Sequence, residues 1–418
     1  MVGRETPAGD GRPPSLRQLF AVAEFRALFA AFVASIAGDQ LARVALTVLV
    51  FDRTGSAGLA GLTYALTVLP AIVGGPLLSG LADRLPRRRV MITCDIARVG
   101  LVAVMAIPAL SLWVLSALVV VVQLLASPFN AARAATQAAI LQGEPYVLAS
   151  AVGNIAWEVS AVIGFAAGGA IVAGVGAHTA LLINAGTFLV SALLVRAGVR
   201  ARPVGTDAAR RARWATTLRS GFRLVSATPQ LRSLVGLACI AGFYTTAVGL
   251  AVPYAAQLGG GAVTAGLLMA ANPAGTALGM IVLTRWVRPT ARLRILAPLA
   301  VGACAPLVVC LADPAVGITL GLWCLAGVCA AYQLPANATF VQAVPDAQRG
   351  QAFGLAQSAL LAAQGLGIVL AGVAGDHWAP STVVGAAGVL GTVVAFGAGL
   401  AWRHASARLP ERELIAVV

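Results

Sequence analysis

The chain contains no lysine, and only 11% of its 418 residues are charged. Soluble domains carry about 25% charged and about 45–50% apolar residues, whereas 59% of this chain is apolar. A soluble fold of this size could not hide so much apolar surface, so the composition predicts an integral membrane protein. Because a P-loop requires lysine, an ATP-driven pump formed by this chain alone is excluded.

Histidine and cysteine are also scarce. The three histidines, His178, His377 and His404, are far apart, and neither an HExxH nor a GxSxG motif is present. All six cysteines fall within or beside apolar runs, which is typical of small buried hydrophobic residues rather than of disulfides. The sequence therefore predicts no metal site and no cofactor, and a membrane enzyme is only a remote alternative.

The net charge of +14 comes from 29 arginines, which occur in short runs between apolar segments. This arrangement favours the positive-inside rule of membrane proteins over nucleic-acid binding. The runs around Arg84–Arg89, Arg196–Arg232 and Arg285–Arg294 all fall in connections on one side. We therefore predict a multi-pass protein of the cell (inner, cytoplasmic) membrane with both termini in the cytoplasm.

Apolar runs long enough to cross a bilayer number twelve. The predicted spans, numbered 1 to 12 in chain order, are 26–51, 57–81, 90–110, 112–132, 147–173, 178–198, 231–256, 262–285, 293–312, 314–341, 351–374 and 380–402. The predicted domains are an N-terminal tail (1–24), a six-helix bundle (25–198), a cytoplasmic linker with an amphipathic helix (199–230), a second six-helix bundle (231–403) and a C-terminal tail (404–418).

The two halves resemble each other weakly. Residues 60–62 (AGL) of span 2 match residues 265–267 (AGL) of span 8, and residues 128–131 (PFNA) of span 4 match residues 335–338 (PANA) of span 10. Duplicated six-helix halves are typical of secondary transporters, which bind substrate near the bilayer midplane between the repeats. The repeat thus favours a transporter.

The loop after span 2, residues 79–88 (SGLADRLPRR), resembles the G-x-L-A-D-R-x-G-R-R signature of the major facilitator superfamily. Residues 38–40 (GDQ), 52–56 (DRTGS) and 344–350 (VPDAQRG) are similar to the bacterial drug and siderophore exporters (the enterobactin-exporter-like branch). The resemblance implies an all-α membrane fold with twelve helices in two pseudo-symmetric six-helix bundles. It also implies proton-coupled efflux of a small amphipathic compound by alternating access.

Import remains an alternative, through a facilitator or a symporter of a small solute. The antiporter pattern of helix 5 reads GFAAGG at residues 164–169 and lacks its proline, and the helix 4 arginine of many proton antiporters has no counterpart near Gln123. The expected partners are membrane lipid, a small-molecule substrate and protons, with no nucleic acid, and we expect a monomer. By the same resemblance, the gating residues are Asp83, Arg84, Arg87, Arg88, Arg349 and Gly350, with Asp83 holding the start of span 11 when the cytoplasmic side is closed.

Charged residues inside apolar spans are expensive and are functional candidates. Asp39 and Arg43 lie one turn apart on span 1, and we expect them to pair, with Asp39 as the proton-responsive site. Glu158 of span 5 is the second candidate. Asp95 and Arg98 begin span 3, and we interpret them as structural.

Uncharged polar residues fall in helices that line the cavity in the resembled family. The candidates are Gln40, Gln123, Asn130, Asn154, Tyr244, Gln333 and Asn337. Interhelical hydrogen bonds alone could account for any one of them. Together they predict a weakly polar cavity with few aromatic side chains.

Overall fold

The computed structural model describes residues 15–78, 85–202, 222–345 and 348–406. Within these ranges the chain is helical with no strand, and it forms an all-α bundle of twelve membrane-crossing segments in two six-helix halves. The predicted fold is therefore confirmed. Asp83 and Arg84 lie outside the described residues, as do both tail ends and most of the linker with its predicted amphipathic helix.

The N-terminal half contains spans 1 to 6. A short helix, Leu16–Ala21, precedes span 1. The spans are Ala23–Thr54, then Ala57–Leu66 continued by Pro70–Leu78, then Arg87–Met105, then Leu112–Ile140, and finally spans 5 and 6 together as Glu144–Gly198. Spans 5 and 6 are joined by a sharp bend at Gly176, where the backbone is not helical. The φ of 82° at this residue suits glycine.

The C-terminal half is more interrupted. Span 7 comprises Pro229–Cys239, Ala241–Tyr244, Thr246–Gly249 and Ala251–Gln257, and span 8 is Ala262–Trp286. Span 9 comprises Pro289–Arg294, Leu296–Gly302 and the 3-10 helix Ala305–Ala312, and span 10 comprises Val316–Ala330 and Gln333–Ala343. Span 11 is Arg349–Gly375, and span 12 is Pro380–Ser406. Span 9 contains prolines and a left-handed Asp313 at its end, which limit regular α-helix there.

The twelve spans include span 3 and span 9, which are not among the long apolar helices. Nine helices in the described part of the chain are long and apolar enough to cross a membrane, and the 55-residue helix of spans 5 and 6 counts twice. Span 9 is a shorter apolar helix, Leu296–Ala312. Span 3 begins with three arginines and also contains Asp95 and Arg98. These additions bring the number of spans to twelve.

Two faces of the bundle can be distinguished by their sequence. The arginine-rich face is the one at which span 3 begins at Arg87 and span 6 ends just after Arg196. The opposite face is the one at which span 1 ends at Thr54 and span 12 begins at Pro380.

The two halves meet along two glycine seams that lie towards the opposite face. In the first seam, span 5 packs on span 8, and a Cβ on Gly169 would lie only 2.5 Å from the carbonyl oxygen of Ala262. In the second, span 2 packs on span 11, and a Cβ on Gly61 would lie 3.1 Å from the Cα of Gly372. Glycine allows this close backbone approach, which drives helix association where lipid is the solvent.

Candidate functional site

Two adjoining cavities lie between the halves, on the arginine-rich side of the seams. The vestibule has a volume of about 240 Å³ and is lined by span 5 together with spans 7, 8, 10 and 11. The deep cavity has a volume of about 350 Å³ and is lined mainly by spans 1, 2, 4 and 5 with parts of spans 7, 8 and 11. Trp157 and Glu158 line both cavities.

Most of the predicted cavity-lining residues lie where they were expected. Gln123 and Asn130 line the deep cavity, as does the largely buried Gln40, while Asn154, Gln333 and Asn337 line the vestibule. Tyr244 lines neither of these two cavities: span 7 breaks after it, and its side chain is buried. The amide of Gln333 donates a hydrogen bond of 3.4 Å to the Tyr244 hydroxyl.

Asp39 does not pair with Arg43. The guanidinium of Arg98, from span 3, donates to both carboxylate oxygens of Asp39 at 2.9 Å. Arg43 instead donates to the Gln40 side chain at 2.7 Å and to the carbonyl of Thr67 at 3.5 Å. The prediction failed because helical spacing shows which neighbours on one helix can meet, but not which residue approaches from another helix.

Arg98 is the centre of a buried charge cluster in the N-terminal half. It is 1% exposed, its guanidinium lies 3.8 Å from the centre of the Phe188 ring, and it is 3.6 Å from a carboxylate oxygen of Asp95. The side chain of Ser35 accepts a further hydrogen bond from Arg98 at 3.3 Å. The cluster ties spans 1, 3 and 6 together, so Asp39 is held in place within one half.

Glu158 has a different environment from Asp39. It lies on span 5, is half-buried and faces both cavities beside Trp157, which is 43% exposed. Within the described residues, no group donates a hydrogen bond to its carboxylate and no basic group lies within ion-pair distance. Glu158 is therefore a carboxylate inside the membrane whose position is free for a ligand or a proton.

Arg133 lies within a helix and not in a connection between helices. The predicted span 4 ends at residue 132, but the helix continues to Ile140 and includes Arg133. Its guanidinium stacks on Phe32, 3.8 Å from the ring centre, and it lines a side pocket of about 310 Å³ next to Asn154. An apolar run can end well before its helix does, so composition alone did not reveal this.

The predicted gating residues make contacts within each half. Arg87 donates to the carbonyl of Ala135 at the end of span 4 at 3.0 Å, and Arg88 donates to the carbonyl of Arg196 at the end of span 6. Arginines suit such positions, because a helix C-terminus carries partial negative charge. Arg349 donates to the carbonyl of Val341 at 3.0 Å, and Gly350 follows it in the first turn of span 11.

Asp376 joins the two halves at the opposite face, and no sequence pattern pointed to it. Its carboxylate accepts hydrogen bonds from the Ser56 hydroxyl at 3.0 and 3.1 Å and from the backbone N–H of Gly58 at 3.0 Å. Ser56 and Gly58 form the N-terminus of span 2, whereas Asp376 directly follows span 11. A carboxylate is favoured there because a helix N-terminus carries partial positive charge.

The sequence and fold both match known proteins. A profile of the Major Facilitator Superfamily matches residues 28–313 and, in a second match, 234–416. The uncharacterized MFS-type transporter YfiS of Bacillus subtilis (strain 168) is 31% identical over 169 residues, a segment that covers 40% of each chain.

Solved structures share the fold at low sequence identity. The nucleoside transporter NupG has a TM-score of 0.73 at 13% identity, with 92% of this chain and 99% of that chain covered. A bacterial homologue of the human lysosomal transporter Spinster, inward-facing and occupied, has a TM-score of 0.71 at 16% identity, with 95% and 98% covered. The chain thus belongs to the major facilitator superfamily and is a membrane transporter rather than an enzyme.

Proposed function

We propose that this protein is a proton-coupled exporter of a small amphipathic compound and that Glu158 carries the coupling. The exporter branch rests on the sequence motifs that are similar to bacterial drug and siderophore exporters. The observation that carries the proposal is the Glu158 carboxylate, which lies between the halves next to an indole ring and has no partner among the described residues.

The arrangement of the cavities fits alternating access from the cytoplasm. The glycine seams and Asp376 close the opposite face, while the vestibule lies towards the arginine-rich face. The excess of arginine favours a cytoplasmic location for that face. In this conformation the protein would take up its substrate from the cytoplasm, as an exporter must.

Glu158 suits proton coupling better than Asp39. A charge at the bilayer centre costs ~2.5–3.5 kcal/mol on insertion scales, so an unpaired carboxylate there gains from binding either a proton or a cation. The other ionisable groups of the deep cavity are Asp39, Arg98, Arg43 and Tyr64, of which Asp39 and Arg98 are paired. Proton and substrate would compete for Glu158, which would couple their opposite movements.

The test is transport in proteoliposomes that contain the wild type, Glu158→Gln or the control Glu144→Gln, which alters an exposed carboxylate on the same helix. The substrate is first selected by growth inhibition of overexpressing and deletion strains. We expect Glu158→Gln to lose proton-driven accumulation while it keeps exchange without a gradient, and we expect Glu144→Gln to behave as the wild type.

Two outcomes would contradict the proposal. If Glu158→Gln kept full proton-driven accumulation, coupling would not run through this carboxylate. If overexpression raised the cellular content of the compound and a protonophore left that content unchanged, a facilitator-type importer would be the better description.

A further inference from the structure

We infer that the substrate is zwitterionic, with a cationic group that binds Glu158 and an anionic group that binds Arg43. This inference rests on the proposed function in that the deep cavity must be the transport site. It goes further because it specifies the charges of the substrate. The two groups line the same cavity, and in the described structure neither is neutralised by an ion pair.

Arg43 is a permanent cation whose neighbours hold it without neutralising it. Its guanidinium donates to the neutral side chain of Gln40 and to the carbonyl of Thr67, and it lies 5.8 Å from the centre of the Tyr64 ring. Its Nε is buried and makes no hydrogen bond to any described residue. Arginine does not lose its proton in proteins, and its planar fork matches a carboxylate.

The other two charges that line the deep cavity form a pair, because Arg98 binds both oxygens of Asp39. Asp95 lies 3.6 Å from Arg98 but does not line this cavity. Among the described residues that line the cavity, one cation, Arg43, and one anion, Glu158, are thus left for a ligand. A purely cationic ligand would leave Arg43 without a counter-charge, and a purely anionic ligand would leave Glu158 without one. In either case, part of the free-energy cost of an unpaired charge inside the membrane would remain.

The rest of the lining indicates what lies between the two charged groups. Contrary to the expectation of few aromatic side chains, Trp157, Phe165 and Tyr64 supply aromatic surface, and Gln123 and Gln364 supply amides. A volume of about 350 Å³ is at the small end of ligand pockets, which span roughly 300–1,000 Å³. We therefore expect a compact aromatic body with an ammonium group at one end and a carboxylate at the other.

The experiment measures binding by thermal stabilisation of the purified full-length protein in detergent. The probes are 4-(aminoalkyl)benzoic acids with alkyl linkers of increasing length, together with matched charge forms. The methyl esters are cations, the N-acetyl acids are anions, and the N-acetyl methyl esters are neutral. Each probe is titrated against the wild type, Arg43→Gln, Arg43→Lys, Glu158→Gln and the control Arg133→Gln, which alters an arginine outside the deep cavity.

We expect a zwitterion of one linker length to bind tightest. A hydrogen bond to a charged group contributes ~1.5–3 kcal/mol, so its ester and its N-acetyl form should bind ~10- to 100-fold more weakly. In Arg43→Gln, the zwitterion and its ester should bind alike, and in Glu158→Gln, the zwitterion and its N-acetyl form should bind alike. Arg43→Lys should retain part of the preference, and Arg133→Gln should retain all of it.

The inference would be overturned if the esters bound the wild type as tightly as the zwitterions, or if no zwitterion stabilised the protein more than its neutral form. Loss of the carboxylate preference in Arg133→Gln but not in Arg43→Gln would also overturn it. The comparison of probes on the wild type decides the matter even if a variant does not fold. If zwitterions bound but were not transported by a proton gradient, this inference would stand and proton coupling would be refuted. If a proton gradient drove transport of a purely cationic compound, proton coupling would stand and this inference would be refuted.

Discussion

The two faces of this transporter are built differently, although its two halves share one fold. At the opposite face, backbone atoms of the two halves come together at glycines, and the carboxylate of Asp376 from one half binds the helix N-terminus of the other. At the arginine-rich face, Arg87 and Arg88 bind carbonyl groups of their own half. The difference suggests that opening one face need break only a few contacts, while each half stays intact.

The largest effect is expected from a change inside one half. Arg98→Gln would leave Asp39 and Asp95 buried without their cation, and breaking a buried ion pair in this way costs about 3–5 kcal/mol. We expect a clear fall in the melting temperature of the purified protein. Arg89→Gln, an exposed arginine on the same helix, should leave it nearly unchanged.

This variant should not change how often the cavity opens at one face or at the other, because Arg98 acts within one half. The fraction of protein that remains folded should show wild-type accessibility of the cavity from each side. An unchanged melting temperature would mean that the Asp39–Arg98 contact does not support the N-terminal half.

Gly169→Val acts on the seam between the halves. Its Cβ would lie 2.5 Å from the carbonyl oxygen of Ala262, so the seam could not close, and overpacking of this kind costs about 1–3 kcal/mol. A cysteine at Gln364, in the deep cavity of a cysteine-free background, should then react faster with an impermeant maleimide added at the opposite face.

The matched control is Gly174→Val, on the same helix but with open space around its Cβ. Equal labelling in the two variants would show that close approach at Gly169 does not keep that face closed.

A smaller effect is expected from Asp376→Asn. The amide keeps one acceptor oxygen but loses the charge, so we expect a loss of ~1 kcal/mol from the closed state and about fivefold more labelling of the same cysteine from the opposite face. Asp313→Asn is the control, because Asp313 lies at that face but accepts its hydrogen bond from Gln257 of its own half. Equal labelling of both variants would mean that Asp376 does not hold the halves together.

The sequence was sufficient to predict the fold, because apolar length and arginine placement are properties of single segments. It also pointed to Glu158 as the second candidate for the proton-responsive site, because a carboxylate within an apolar run is costly wherever the other helices lie, and that role stays a prediction. It could not identify the partner of Asp39, since Arg98 is 59 positions away in the sequence and approaches from another helix. Asp376 was missed for the same reason, because its contact with Ser56 spans 320 positions.

The helical hairpin of spans 5 and 6 has a hinge between the cavity and the charge cluster. Glu158 lies on its first arm and Phe188, which stacks on Arg98, lies on its second, with the bend at Gly176 between them. Because the backbone at Gly176 is not helical, the first arm can tilt on binding while the second stays packed within the N-terminal half. The Asp39–Arg98 pair, which lines the same cavity, would then keep its geometry while Glu158 moves with the ligand.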